Sequence, residues 1–311
     1  MKRFKKILVV FDRATGSRAA LDRAADLARD NGARVGLMIC LTEFQSSQTG
    51  AKIQDAVIRG LRGHFDQIAE PLRASGILVD VDILVGRIFI QVIRRVLRDG
   101  YDLVVKTAQR TSHQGYAFGS TDLHLMRKCP VAVWLLHADE GVSDHDAPVL
   151  AAVAPSLPDT PEEALNVKIL QLATSLAIQR RQTLHVLQAW APLDPVLLRA
   201  LRWPVDEPAI QGTLTAQRRA AEARFLSFAE KVAEAEAGGH DVRIHFRDGA
   251  AASEVLSFVD AFGIGLVVMA TVTRTGVPGL LIGHTAELVL RDLNFEVLTV
   301  KPEGFRSPVA A

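Results

Sequence analysis

A chain of 311 residues has room for about two domains of ordinary size, each large enough to bury its own core. Hydrophobic residues make up 49% and charged residues 23%, the composition of a soluble globular protein. With 36 basic against 35 acidic residues the net charge is +1, which excludes nucleic acid or an anionic membrane as a partner attracted by bulk field.

Ile7 to Phe11 is a short, almost wholly apolar run, as befits a parallel strand covered on both faces. The stretch before it is basic but passes straight into this strand, so no signal peptide is expected. No run of about 18 apolar residues follows anywhere, and the expectation is a cytoplasmic protein. Ser17 to Asp30 is read as a helix, Val35 to Leu41 as a strand, and Gln54 to Ala74 as a long helix stopped at Gly76. Strands are expected at Val79 to Val85, Leu103 to Lys106 and Val131 to Leu136, with helices at Ile88 to Leu97 and Thr121 to Arg127. Cys40 and Cys129 lie far apart in apolar surroundings and fit buried thiols in a reducing compartment.

His137 to Pro148 is acidic and reads as a linker. Its His137, Asp139, Glu140, Asp144, His145 and Asp146 share no helical face and no metal-ligand spacing. The order then repeats. Strands are expected at Val149 to Val153, Thr183 to Gln188, Val242 to Phe246, Leu266 to Ala270 and Val297 to Val300. Helices are expected at Glu162 to Gln179, Ala216 to Ala237, Ser253 to Phe262 and Thr285 to Asp292. Leu103 and Leu266 are 163 residues apart and Gly119 and Gly283 are 164 apart, offsets that agree to one residue through a whole strand–loop–helix unit, which points to duplication. The expected domains are residues 1–137 and 149–303, joined by the linker 138–148 and followed by a tail, 304–311. Five strands alternating with helices in each copy imply an α/β fold of two tandem doubly wound, five-stranded parallel sheets with flavodoxin-like layering.

In such sheets a ligand binds beyond the carboxyl ends of the strands where the winding reverses, here the loops after the first and fourth strands. After the first strand, Asp12 is placed either to accept from a ribose or adenine amine or to cap its own loop. The second copy offers Ala154 there and no carboxylate. At the tip of the fourth strand Lys106 is either a phosphate contact or a snorkelling surface lysine. Gly119-Ser120 opens the next helix, where it serves as a phosphate site or only as a cap.

The segments Asp102-Leu-Val-Val-Lys106, Thr121-Asp-Leu-His-Leu-Met-Arg-Lys-Cys-Pro130 with Val133-Trp134, Thr271-Val-Thr-Arg-Thr-Gly276 and Gly283-His-Thr-Ala-Glu287 resemble the universal stress protein family, in particular its tandem branch. The resemblance covers nearly the whole chain and implies an adenine-nucleotide-hydrolase-like sheet and a non-enzymatic, cytoplasmic stress-response role. ATP-binding members carry Gly-x2-Gly-x9-Gly-Ser/Thr after the fourth strand, because glycines let amides approach the phosphates. Counting back from Gly119, the two earlier glycines are replaced by Gln109 and Lys106; counting back from Gly283, by Thr273 and Ala270. His284 stands where a Ser or Thr would touch phosphate, with Thr285 beside it, and is either an anion contact or an exposed helix-start residue.

The resemblance therefore implies a small-molecule ligand and a degenerate nucleotide-type site in each half, with ATP or another nucleotide displaced as the obvious occupant. The alternatives are a non-nucleotide ligand, apolar or phosphate-bearing, and a weak ATP-binding or ATPase module. No nucleophile elbow, zinc-protease motif or Walker loop is present to support catalysis. The resemblance also implies that the last strands of the two copies pair within the chain as a pseudo-dimer with Trp134 near the contact, further homodimerisation being left open.

Overall fold

The structure, a computed structural model, describes residues 3–12, 18–42, 48–108, 119–137, 146–156, 160–192, 207–271, 284–289 and 295–310. In chain order these form β1 (Lys6–Phe11), α1 (Arg18–Asn31), β2 (Arg34–Leu41), α2 (Gln48–Ala74), β3 (Val79–Val85), α3 (Ile88–Asp99), β4 (Leu103–Thr107), α4 (Ser120–Lys128) and β5 (Ala132–Leu136). The order then recurs as β6 (Val149–Ala152), α5 (Pro161–Arg180), β7 (Leu184–Trp190), α6 (Glu207–Glu236), β8 (Val242–Asp248), α7 (Ala251–Phe262), β9 (Leu266–Ala270), α8 (His284–Val289) and β10 (Glu296–Val300). The alternation read from the sequence is the one observed. The two long helices begin earlier than their apolar stripes, because a helix continues through polar residues that no core demands.

The chain forms two compact units. One comprises Met1–Ser143, Thr271–Gly283 and Leu290–Ala311, and the other Asp144–Ala270 with His284–Val289. In the first unit the strand order is β3-β2-β1-β4-β5-β10, parallel from β3 to β5, with β10 antiparallel to β5. The second unit has β9-β6-β7-β8, all parallel. Both orders wind outward from their first strand and reverse between the first and fourth, the α/β doubly wound architecture. Every residue of β4, β5 and β10 is buried, which is why these strands read as mostly apolar runs where helices cover both faces.

Local chemistry fixes the ends of the elements. Thr160 caps α5 by accepting from Glu163 N at 3.2 Å, with Pro161 in the first turn where its missing N–H costs nothing. Gly100 ends α3 in the left-handed region at φ 68°, its N–H returning to Val96 O. In β2, Gly36 is required because a Cβ there would lie 2.1 Å from the Tyr101 hydroxyl.

The pairing of β10 with β5 introduces a charge into the first unit. Leu298 lies opposite Trp134. The Glu296 carboxylate, its side chain 6% exposed, accepts from Trp134 Nε1 at 3.1 Å and from the Arg23 guanidinium at 2.7 Å. Arg23 also stacks over the indole, 5.3 Å from the ring centroid. Removing the carboxylate leaves a buried guanidinium and an indole N–H without it. Glu296→Ala is expected to lower the unfolding free energy by about 3–5 kcal/mol, with Glu296→Gln losing less because its amide oxygen still accepts from Trp134. Urea denaturation of the two variants measures the difference.

Candidate ligand sites

Strand β4 delivers an ammonium group into the place where the winding reverses. Lys106 pairs with Val10 of β1 on one side and Leu135 of β5 on the other, and it is fully buried. Its Nζ donates to Thr107 O at 2.8 Å and lies 3.2 Å from Asp12 Oδ2 and 2.9 Å from Asp122 Oδ1. Asp122 is itself fully buried, on the first turn of α4. Lys106 is thus not a snorkelling surface lysine: its ammonium is buried and held by Thr107 O and the carboxylates of Asp12 and Asp122. Asp12 faces this ammonium, and Asp122 points inward to it. Gly119 is the N-cap of α4 without a side-chain cap.

The second unit replaces the whole arrangement. Equivalent registers, Ile7 with Leu103 and Val149 with Leu266, align Lys106 with Met269 and Asp12 with Ala154. The 164-residue offset of Gly119 and Gly283 aligns Asp122 with Ala286. Met269 and Ala286 are buried. The backbone of exposed Ala154 is held instead by Asn166 of α5, whose amide accepts from Ala154 N at 2.8 Å and donates to Ala154 O at 3.0 Å. Among the other residues singled out in the sequence, Ala270 ends β9 and Thr285 lies in α8, both partly exposed. His284 is the first residue of α8. Gln109, Thr273, Gly283 and residues 138–145 of the linker lie outside the described residues.

Among the described residues of the first unit, two cavities stand out. The larger, about 680 Å³, lies between α1 and α2 over β1 and β2. Leu21 and Ala25 of α1, Ile39 of β2 and Leu61, Phe65, Ile68 and Leu72 of α2 form an apolar wall. Phe11 meets Phe65 edge to face at 4.7 Å. Asp12, Arg18, Asp22, Arg29 and His64 supply its polar contacts. In the second unit the equivalent helices α5 and α6 pack directly on each other.

The smaller cavity, about 470 Å³, is bounded by Thr42 after β2, by Gly86, Arg87, Ile88 and Phe89 at the start of α3, and by Ser120, Thr121 and His124 at the start of α4. Two helix N-termini and Arg87 give it positive potential. His124 lies against Phe89 with the ring centroids 4.3 Å apart and the planes tilted by 32°, and leaves a buried Nδ1 without a hydrogen-bond partner. Burial, then Lys128, Arg127 and Arg87, keep His124 below the ordinary histidine range. Sequence reasoning identified Gly119, Ser120 and Asp12 here but missed Asp122, Thr42, Arg87 and the apolar wall. A lysine inside an otherwise apolar buried strand was the available signal for Asp122, since it demands a counter-charge.

Among the described residues no group of three or more His, Cys, Asp or Glu is placed to hold a metal ion, and no helix is long and apolar enough to cross a membrane.

The model of the universal stress protein family matches residues 3–137 and 159–301. The chain is 27% identical over 319 aligned residues to universal stress protein E of Escherichia coli K12, covering 99% of this chain and 98% of that one. It is 26% identical to the universal stress protein E homolog of Haemophilus influenzae, with 96% and 98% covered. Among solved structures, one of a putative universal stress protein from Pseudomonas aeruginosa superposes with a TM-score of 0.72 at 23% identity over 98% of this chain and 95% of that one. One from Archaeoglobus fulgidus superposes at 0.63 and 16% identity, over 95% of this chain and 98% of that one. The likeness in structure supports the fold.

The substitution of three apolar residues for the Asp12–Lys106–Asp122 set generates a test. Lys106→Met alone leaves two carboxylates buried without their ammonium and is expected to lower stability by about 3–5 kcal/mol. The triple variant Asp12→Ala, Lys106→Met, Asp122→Ala, which copies the second unit, is expected to recover most of that loss. Chemical denaturation of both at neutral pH checks it.

Proposed function

The chain belongs to the universal stress protein family, and we propose that it is a non-catalytic stress-response protein whose first unit binds a small apolar or amphipathic molecule in the cavity between α1 and α2. The observation that carries this reading is the wall of that cavity, which is apolar at Leu21, Ala25, Leu61, Phe65, Ile68 and Leu72 and carries a few polar groups, Asp12, Arg18, Asp22, Arg29 and His64. A large apolar pocket with a few convergent polar groups is the usual form of a small-molecule site. Its size suits a single elongated ligand, whose apolar body would lie along Leu21, Ala25, Phe65 and Ile68 while a hydrogen-bonding head reaches Asp12. Nucleotide binding at the strand ends is disfavoured by Lys106, whose side chain and two carboxylates fill the β1–β4 junction that a phosphate-binding loop would leave open. The position of the second copy is apolar and lacks a carboxylate.

A second reading, a small phosphate-bearing ligand, is favoured by the cavity under Arg87, Ser120 and Thr121. It would rest on two helix N-termini and one guanidinium instead of a glycine-rich loop. Neither cavity brings together a nucleophile, a base and a metal-holding carboxylate pair, so turnover of the ligand is not part of the proposal. The sequence repeat supports domains at 1–137 and 149–303, with the pairing of β5 and β10 serving as a pseudo-dimer contact within one chain.

Titration with a lipophilic fluorophore whose emission rises in apolar surroundings tests the first reading. Binding is expected to weaken at least about tenfold in Ala25→Phe, which fills the cavity, and to be indifferent to magnesium-ATP. Unchanged affinity in that variant, or a thermal shift of several degrees with magnesium-ATP, would replace the first reading. A shift with inorganic pyrophosphate that Arg87→Ala abolishes would favour the second.

A further inference from the structure

In the second unit, β7 and the edge strand β8 carry two histidines that neither candidate site uses. Register sets His185 opposite Arg243 and Leu187 opposite His245, so the two imidazoles are diagonal neighbours on one face. His185 Nδ1 lies 3.1 Å from His245 Nε2, with the ring planes 18° apart. At that separation one nitrogen donates and the other accepts, so at least one ring must be neutral. Phe258 and Phe262 of α7, stacked on each other at 4.2 Å, lie against both rings at 4.8–5.7 Å. His185 and Phe258 are buried, whereas Phe262 is 39% exposed.

The charged groups facing this pair among the described residues are mostly positive. Strand β8 brings Arg243 and Arg247, the latter with its guanidinium 4.7 Å from the Phe258 ring. Asp241 precedes β8 and bonds Thr183 and Arg243, and Glu254 of α7 lies 3.8 Å from Arg247. Strand β7 brings no charged group to this face besides His185 itself.

We propose that the His185–His245 pair is an acid-sensitive latch, which holds β8 and the end of α7 in place while it carries at most one proton and releases them when both rings are charged. The first proton is tolerated: a charged His245 donates its Nε2–H to the neutral Nδ1 of His185, and the bond survives. A second proton turns both facing nitrogens into donors 3.1 Å apart, beside two arginines and under two phenyl rings. Burial first, then the charges of His245 and Arg243, push His185 down to about 4, and burial with Arg247 and Arg243 lowers His245. These steps belong to the coupled pair rather than to either ring. Because both rings bind protons less readily folded than unfolded, the stability they contribute is full above the ordinary histidine range. It declines as the pH falls from there to about 4.

Edge strand β8 is the element such a latch can free, since it is paired within the unit on one side only, to β7. The test is an NMR titration of the full chain from pH 7 to 3.5 combined with hydrogen exchange of the β8 amides, corrected for the intrinsic pH dependence of exchange. Two imidazoles are expected to titrate as a coupled pair, both below the ordinary range. Exchange in β8 is expected to rise at least about tenfold through the lower step while β6 stays protected. In the double variant His185→Gln, His245→Gln, which keeps a side-chain hydrogen bond and cannot titrate, β8 exchange is expected to be flat over the same range. The proposal is overturned if the two rings titrate independently near their ordinary value. It is also overturned if β8 opens with the same pH dependence in wild type and variant. Should the variant fail to fold, the wild-type titration decides alone, because β8 opening that does not follow the lower step excludes the latch.

Discussion

A strand covered by helices on both faces has no route to water for its side chains, so a charge placed on it must find its partner inside the protein. The organisation of this chain follows from how that constraint is met in each instance. Lys106 meets it with two carboxylates, one from the loop after β1 and one from the first turn of α4. Glu296 meets it with a guanidinium and an indole N–H. Lys301, just beyond β10, meets it differently. Its ammonium donates to Met126 O near the end of α4 and to the Thr271 hydroxyl, with the Phe305 ring over it. Helix-end carbonyls and a hydroxyl compensate a buried ammonium less fully than a carboxylate does, and burial brings Lys301 down to about 8. His185 meets the constraint by staying neutral.

The three-residue exchange between the copies shows that the same framework accepts two solutions. Asp12, Lys106 and Asp122 in the first copy correspond to Ala154, Met269 and Ala286 in the second. Well-packed apolar residues replace a buried ion set with little net cost, but no intermediate with one charge left over is comfortable. The members of such a set are therefore energetically bound to change together. The consequence for function is geometric. In the first copy the switch point between β1 and β4 is filled by the protein's own charges, and the ligand we propose lies to one side of it. The two cavities do lie to its sides, one reaching Asp12 beneath α1 and α2, the other at the starts of α3 and α4.

Most of the fold was legible in the sequence because its signals are local or periodic. Apolar runs such as Ile7 to Phe11 and Val131 to Leu136 read as buried strands, and the helix expected from Glu162 starts one residue earlier, at Pro161, behind the Thr160 cap. The repeat offset required no structure at all. The site was legible only in part. Asp12, Lys106 and Ser120 were recognised from their positions at strand and helix ends, but the role of Lys106 was not. Its pairing depends on which strands flank β4 and on Asp122, a helix residue 16 positions later whose inward direction no spacing announces. The cavity between α1 and α2 was beyond reach for a further reason. Leu21, Ala25, Phe65 and Ile68 are ordinary residues of an amphipathic face, and nothing in their order distinguishes a face that packs on its neighbour from one that stands away from it.

That last distinction separates the two copies in physical terms. In the second unit α5 and α6 pack together, and the conspicuous polar feature lies on the opposite face of its sheet, where His185 and His245 sit under α7. In the first unit the α1–α2 face is left open and the α3–α4 face carries a basic pocket with the partnerless Nδ1 of His124. A duplicated framework thus keeps its strand order fixed while each copy spends its freedom on different helix pairs. The strands cannot vary independently because every buried charge on them is tied to a partner, whereas a helix can stand closer or further without breaking a ladder bond. The structural difference between the two copies is accordingly located in the spaces between helices and sheet, and the sheet itself keeps the pattern that the two halves share.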